Sequence, residues 1–299
     1  EKLIIENNQH INSGECFSLL NDLKIECLQQ IELHGLKVDE PVFLRHFPES
    51  KKHISNGFVH TQYNMYTATG RPSNRFGNIN YAALKYETGE RQSFISRFND
   101  DGILLMYDFE AYHLHLIADI VQYKFPTTLS AHEYLGRQYF NKSELTDEEY
   151  EESKKISFNI LYGGISKEIA DEIPFFHNVQ LFIETLWHKF KTDGYVETIL
   201  YKQKLKTENF TGMNANKLFN FILQNIETER NMHIIRLLQD FLQLYQSKLV
   251  LYLYDAMLFD VLLSEKDIVM PKIKELMETN GQYPAKTFIG RNFQDMSKV

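Results

Sequence analysis

Residues 154–164 read KKISFNILYGG. Lys154, Phe158 and Tyr162 stand at i, i+4 and i+8, so on a helix they form one stripe down one face. The start of that helix is marked at Thr146-Asp-Glu-Glu149. This is a capping-box pattern: the Thr side chain bonds the third helical amide and the Glu reaches back. Six acids fall within 144–152. They suit the positive end of a helix dipole and equally a plain solvated helix start. Gly163-Gly164 supplies the stop. A cation, a ring and a phenol on one face could grip an anionic, planar ligand such as a nucleotide. A mixed surface stripe has the same spacing.

On either side of this helix lies an acid at the tip of a strand. Ile103–Met106 is a short apolar run bounded by Asn99-Asp100-Asp101-Gly102 and followed by Asp108. A helical pattern follows Asp108. Residues 248–263 read as two strands, LVLYLY and MLFDVLL, hinged at Asp255-Ala256. An acid directly after a buried strand is expensive unless it is exposed, paired or bound to a metal. Two of them could share a pair of divalent ions, the arrangement used for in-line phosphoryl displacement. Mg²⁺ prefers oxygen ligands and takes one or two carboxylates plus substrate phosphates. Each Asp alone also reads as a turn residue.

Further out, residues 15–34 read as an amphipathic helix, with Phe17, Leu20, Leu23, Cys27 and Ile31 at helical spacing. Residues 41–56 are short, polar and basic. Residues 58–69 alternate as a strand would, and the remainder is mostly helical. Distant strands with helices between them predict an α+β protein.

The chain has 299 residues, 43% hydrophobic and 24% charged, the composition of a globular protein of one large domain or about two. It has no uninterrupted apolar run of about 18 residues, so no membrane span is expected. Cys16 and Cys27 are too few for a disulfide framework or a zinc site and fit a reducing compartment. The first residue is Glu1 and no signal peptide follows, which reads as a piece of a longer protein or a processed product. The net charge of −8 argues against a protein that coats phosphate nonspecifically. It leaves room for an enzyme that concentrates its cations in one cleft.

In order along residues 57–299, these motifs resemble the polymerase region of family A DNA polymerases, the group that includes bacterial DNA polymerase I and the T7-type phage enzymes. VHTQYNMYTATGRPSN at 59–74 resembles the segment leading into the palm, with its Thr-Gly-Arg, and Asn78 and Arg91-Gln-Ser-Phe94 follow in order. YDFEAYHLHLIA at 107–118 looks like motif A, KKISFNILYGG like motif B, and LYLYDAMLFDV at 251–261 like motif C. GYVETILYKQKL at 194–205 resembles the return to the palm, and Asn220 and Gln224 match the Asn and Gln of the palm helix after it.

The resemblance implies an α+β right-hand polymerase. Its palm is an antiparallel sheet with helices, its fingers subdomain is helical, and its thumb is short or missing. The divisions it implies are a helical segment with a thumb remnant at 1–56, palm at 57–122 and 194–299, and fingers at 123–193. Asp108, Asp255 and the backbone carbonyl of Phe109 would hold two Mg²⁺ ions, with Mn²⁺ able to substitute. Lys154 would contact the triphosphate and donate a proton to the leaving pyrophosphate. Phe158 and Tyr162 would pack at sugar and base, and His132 would touch the β-phosphate. A helix cap or a surface site is the other reading of His132. Arg71, Asn220 and Gln224 would contact primer–template DNA in the minor groove, whose acceptors are common to all base pairs. The implied reaction is template-directed addition of dNTPs to a primer. The divergence points to a phage or mobile element, with a processivity or replisome partner and a cytoplasmic location.

Several positions depart from the family. Its Arg one turn before the motif B Lys is Tyr150 here, a lost triphosphate contact for which Lys155 or Lys167 could compensate. The Glu that packs on the motif B Tyr and blocks a ribose 2′-hydroxyl is His113. Motif C reads Tyr254-Asp255-Ala256 in place of His-Asp-Glu. ECLQQIELHGLKVDE at 26–40 resembles the segment before the thumb, which leaves only 41–56 for a thumb. No Asp-x-Glu motif precedes residue 40, so no proofreading exonuclease is expected in this chain. Two other functions compete: a single-subunit RNA polymerase-like enzyme, suggested by His113, and a non-catalytic scaffold for primer–template. Retention of Asp108, Lys154 and Asp255 argues against the scaffold.

Overall fold

A computed structural model describes residues 13–67 and 69–299, with side chains from Leu19 onward. In chain order the elements are α1 (Ser13–His34), β1 (Leu36–Val38), α2 (Glu40–His46), β2 (Phe58–Val59), β3 (Tyr63–Asn64), β4 (Ser73–Asn74), β5 (Phe94–Ile95) and β6 (Gly102–Phe109). Then come α3 (Tyr112–Ile120), α4 (Ala131–Phe140), α5 (Asp147–Gly163), α6 (Lys167–Glu172), α7 (Pro174–Asp193), β7 (Tyr195–Glu197) and β8 (Lys204–Lys206). The last are α8 (Ala215–Leu242), β9 (Lys248–Leu253), β10 (Ala256–Leu262), α9 (Lys266–Glu278), β11 (Ala285–Gly290) and β12 (Ser297–Lys298). The chain divides into two compact units. Ala111–Glu227 belongs to one; Leu19–Glu110 and Thr228–Val299 form the other.

The second unit is built on an antiparallel five-stranded sheet in the order β12-β11-β6-β10-β9. β6 and β10 are two of its three inner strands, and they are buried almost without alternation. A strand covered on both faces reads as a continuous apolar run, which is why ILLM and MLF carry no polar spacing. Leu104, Val250, Leu251 and Leu258 join Leu36, Val38, Phe43, Val59 and Phe94 in one core. α9 packs on β10 and β11, and the Tyr107 hydroxyl donates to the Met270 carbonyl at 2.8 Å. The carboxylate of Asp260, 1% exposed, accepts from the Ser96 hydroxyl at 2.6 Å and from the Arg97 amide and Nε at 2.8 and 3.0 Å. Those bonds replace the water it loses, as a buried charge requires.

Two expectations are corrected in this unit. Residues 58–69 do not make one strand; only 58–59 and 63–64 do. The Tyr63 hydroxyl accepts from the Tyr252 amide at 2.8 Å and donates to its carbonyl at 3.0 Å. A side chain thus satisfies the open edge of β9 that a strand ladder would otherwise satisfy. The apolar stripe of α1 is also not the expected one. Leu20, Cys27 and Ile31 are buried, but Lys24 is buried at 4% where Leu23 is only half-buried. The Phe17 and Cys16 side chains lie outside the described residues. Cys27 is a free, buried thiol whose pKa burial pushes up to about 12, so it stays protonated and unreactive. Residues 41–56 hold nearly all of α2, with the fully buried Phe43, and a short 3₁₀ helix at Pro48–His53.

The first unit is mostly helical. Phe175 and Phe176 are fully buried, and Phe175 meets Tyr123 and Phe125 at ring distances of 5.3 and 4.9 Å. α5 begins and ends where its sequence says. Thr146 and Glu149 form the reciprocal capping box, and Gly164, at φ 116°, receives the end of the helix. α4 and α5 cross closely. A Cβ on Gly136 would stand 2.7 Å from the Ser153 Cβ, so only glycine fits there. No described helix is long and apolar enough to cross a membrane.

Candidate active site

The second unit brings the two acids together. Asp108 is opposite Ala256 in the β6–β10 register, and the Phe109 amide donates to the Asp255 carbonyl at 2.9 Å. The carboxylates therefore leave neighbouring strands at the same end of the sheet. Asp108 is half-buried and Asp255 exposed. Two non-glycine residues near them adopt the left-handed region: Tyr254, next to Asp255, at φ 69°, and Ala111, three residues after Asp108, at φ 50°. Such residues cost about 1–2 kcal/mol each and persist only where their surroundings hold them. For Tyr254 those surroundings are visible. Asn231 Nδ2 donates to its carbonyl at 2.7 Å, and the Arg71 guanidinium lies 3.8 Å from the centre of its ring.

Arg71 follows Gly70, whose φ is +70° and whose carbonyl accepts from the buried Lys24 ammonium at 3.2 Å. Desolvation lowers the Lys24 pKa, and the nearby Glu229 carboxylate opposes that shift. The Thr-Gly-Arg turn is thus tied to α1 on one side and to motif C on the other. Lys286 sits opposite Asp108 on β11, with its ammonium 3.1 Å from Glu110 Oε1. Nothing in the local sequence pointed to Lys286, because only the β6–β11 register brings it there.

The donor set suits Mg²⁺. Both carboxylates and the Phe109 carbonyl offer hard oxygen donors, the type that Mg²⁺ prefers. Among the described residues no group of three or more His, Cys, Asp or Glu side chains could hold a metal by itself. Such a donor pair could serve an ion of this kind, which usually takes one or two carboxylates together with water and substrate phosphate.

The first unit carries the other expected residues. On α5, Phe158 and Tyr162 stack with rings 6.0 Å apart and 8° from parallel. Phe158 is 42% exposed, a large fraction for a ring in a packed helix pair. The adjacent face buries Ser153 and Ser157 against α4. Ser153 Oγ donates to the His132 carbonyl at 3.1 Å, and Ser157 Oγ is 3.0 Å from the Tyr139 hydroxyl. This close seam sets the His132 ring, 4% exposed, 5.9 Å from the Phe158 ring. The Lys154 ammonium lies 2.5 Å from Glu151 Oε1 and 4.5 Å from the centre of the Tyr150 ring. Lys155, on the exposed side, pairs with Glu152.

His113, on α3, is hydrogen-bonded through Nδ1 to the Tyr162 hydroxyl and through Nε2 to Glu227 Oε2 at 2.7 Å. Asn220 and Gln224 are half-buried on α8. Glu227 continues their stripe, one turn beyond Gln224, and is fully buried. Helix packing, not local spacing, brings it to His113. The usable signal was the polar run Asn225-Ile-Glu-Thr-Glu-Arg-Asn231 inside an otherwise apolar helix.

The family model for DNA polymerase family A matches residues 32–295. The chain belongs to DNA polymerase family A. Among curated members of this family, DNA polymerase I of Caldicellulosiruptor bescii is 24% identical over 258 residues, which cover 75% of this chain and 30% of that protein. DNA polymerase I of Bacillus caldotenax is 26% identical over 182 residues, covering 52% of this chain and 20% of that one. The chain thus spans less than a third of the length of either relative. The polymerase domain of Pol1 from M. smegmatis, solved in complex with DNA primer-template and dNTP, shares the fold. Its TM-score is 0.70 at 18% identity, over 85% of this chain and 51% of that chain. The α+β polymerase fold expected from the motifs is therefore the fold of this family A chain.

Proposed function

We propose that this chain is a template-directed DNA polymerase that adds dNTPs to the 3′ end of a primer on primer–template DNA. The carrying observation is the juxtaposition of Asp108 and Asp255 on adjacent strand ends in a family A chain. The M. smegmatis complex with primer-template and dNTP supports the choice of partners. Asp108, Asp255 and the Phe109 carbonyl would hold two Mg²⁺ ions. When bound, the pair lowers the pKa of the primer hydroxyl and neutralises charge on the leaving pyrophosphate. Lys154 contacts the triphosphate and protonates the leaving group. His132 meets the β-phosphate, Phe158 and Tyr162 pack at sugar and base, and Arg71, Asn220 and Gln224 contact the duplex.

In this reading the palm comprises residues 57–122 and 194–299, the fingers 123–193, and residues 1–56 keep the thumb remnant. The low identity to the curated relatives supports a phage or mobile-element polymerase, which would work in the host cytoplasm with a replisome partner. The test is primer extension with Mg²⁺ and dNTPs. Template-dependent extension is expected; its absence with the folded chain overturns the reading.

Two predictions concern the sugar. Phe158 has no hydroxyl to stand in for a missing 3′-hydroxyl, so dideoxynucleotides are expected to be poor substrates. Phe158→Tyr is expected to raise their incorporation relative to dNTPs, measured as the ratio of the two kcat/KM values. Because Phe158 is 42% exposed, the added hydroxyl meets solvent and folding is expected to be unaffected.

His113 stands where the family has the Glu that walls off the 2′ position, and this favours a second reading, an RNA polymerase-like enzyme. Ribonucleotides in the same assay separate the two. We expect dNTPs to be preferred, with weaker ribonucleotide exclusion than a Glu gives. His113→Ala is expected to lower the dNTP/rNTP ratio of kcat/KM further, because it removes the wall. An unchanged ratio means that His113 is not the gate.

A further inference from the structure

The inference drawn here rests on the polymerase reading and concerns a residue that reading does not use. Glu227 is 0% exposed, and its Oε2 lies 2.7 Å from His113 Nε2. The other ring nitrogen of His113 is hydrogen-bonded to the Tyr162 hydroxyl. The three side chains come from three helices, α8, α3 and α5, within one compact unit. A carboxylate oxygen 2.7 Å from Nε2 is placed to accept a hydrogen bond from it, so the contact favours the tautomer with its proton on Nε2. It also fixes the plane of the ring, because a bond at each nitrogen leaves the imidazole no free rotation. Nδ1 is thereby aimed at the Tyr162 hydroxyl, on the face of α5 that carries Lys154 and Phe158. Support of this kind, in which a carboxylate sets the tautomer and orientation of a histidine, is general to functional imidazoles.

We propose that Glu227 is a positioning residue for nucleotide selection. Acting through His113, it holds the Tyr162 hydroxyl in place, so that the carboxylate governing sugar discrimination comes from α8 and not from the motif A helix. Glu227 touches neither nucleotide nor metal in this scheme; its effect on sugar selection passes through His113.

The test compares Glu227→Leu and Glu227→Gln with the wild type in single-nucleotide insertion, reading the dNTP/rNTP ratio of kcat/KM. Leu is close to Glu in volume and cannot accept a hydrogen bond. The ratio is expected to fall about tenfold in Glu227→Leu, the scale of a lost positioning contact. Gln can still accept from Nε2 and is expected to restore most of the ratio. In a His113→Ala background, Glu227→Leu is expected to change the ratio no further, since the two act in series. Histidine ¹⁵N NMR of the wild type, which needs no activity and no variant, is expected to show His113 protonated at Nε2. An Nε2-unprotonated His113 overturns the proposal. So does a Glu227→Leu effect that is equal for both sugars, or one that adds to His113→Ala. Template-dependent extension by a wild type whose ratio ignores Glu227 refutes this proposal alone. Absence of all extension refutes the polymerase reading and this inference with it.

Discussion

Asp255→Ala is expected to abolish nucleotide incorporation while leaving the fold intact, and Asp108→Ala to do the same. Each removes a carboxylate from the pair that would hold the two metal ions. Metal stabilisation of a transferring phosphoryl group amounts to several kcal/mol, so the loss in kcat is on the order of a thousandfold or more. Asp255 is exposed in a two-residue turn, and its backbone carbonyl, not its side chain, accepts from the Phe109 amide. Removing its carboxylate therefore leaves that bridge between β6 and β10 in place. Single-turnover primer extension measures the effect, and a thermal melt checks the fold. Near-normal extension by either variant sinks the metal assignment.

Lys154→Ala is expected to lower kcat/KM for dNTPs by on the order of a hundredfold. General acid catalysis alone contributes about 10²–10⁴, and the ammonium would also neutralise triphosphate charge. The stability cost should be small. The partner of Lys154 is Glu151, 63% exposed, and surface ion pairs of this kind contribute about 0–1 kcal/mol. The Tyr150 ring beneath the ammonium sharpens the expectation. Where the resemblance implies an Arg, this chain carries a neutral ring that the ammonium can sit on but that supplies no positive charge. Lys154 is then the principal cation on its stripe. Lys154→Arg is expected to recover part of the loss, since it keeps the charge and changes the geometry. A Lys154→Ala variant whose kcat/KM stays within twofold of wild type removes Lys154 from the triphosphate site.

The parts of this molecule that could be read from its sequence are those whose cause is local. The capping box at Thr146, the helix to Gly163 and its glycine stop depend on residues within one turn of one another. The hinge at Asp255 depends on an apolar run broken by an acid. The resemblance to family A added which of these segments belong together in one fold, because it compares their order along the whole chain.

Other features depended on which residue meets which across the fold, and binary patterning does not encode partners. Residues 58–69 alternate like a strand, yet most of them are not one, because the Tyr63 hydroxyl takes up the edge of β9 in place of a ladder. Lys24 reads as the polar side of α1 and is buried beside Gly70. His113 reads as a departure from a Glu, with nothing nearby to show that Glu227, 114 positions later, restores a carboxylate to the same hydroxyl network. By itself the sequence determined the helices, the acid-tipped strands and the family order, since periodicity and turn chemistry act over a few residues. Only the tertiary structure decided that Asp108 faces Ala256, that Arg71 lies on Tyr254, and that Glu227 stands behind His113. Those pairings follow from strand register and helix packing, which the whole chain settles at once.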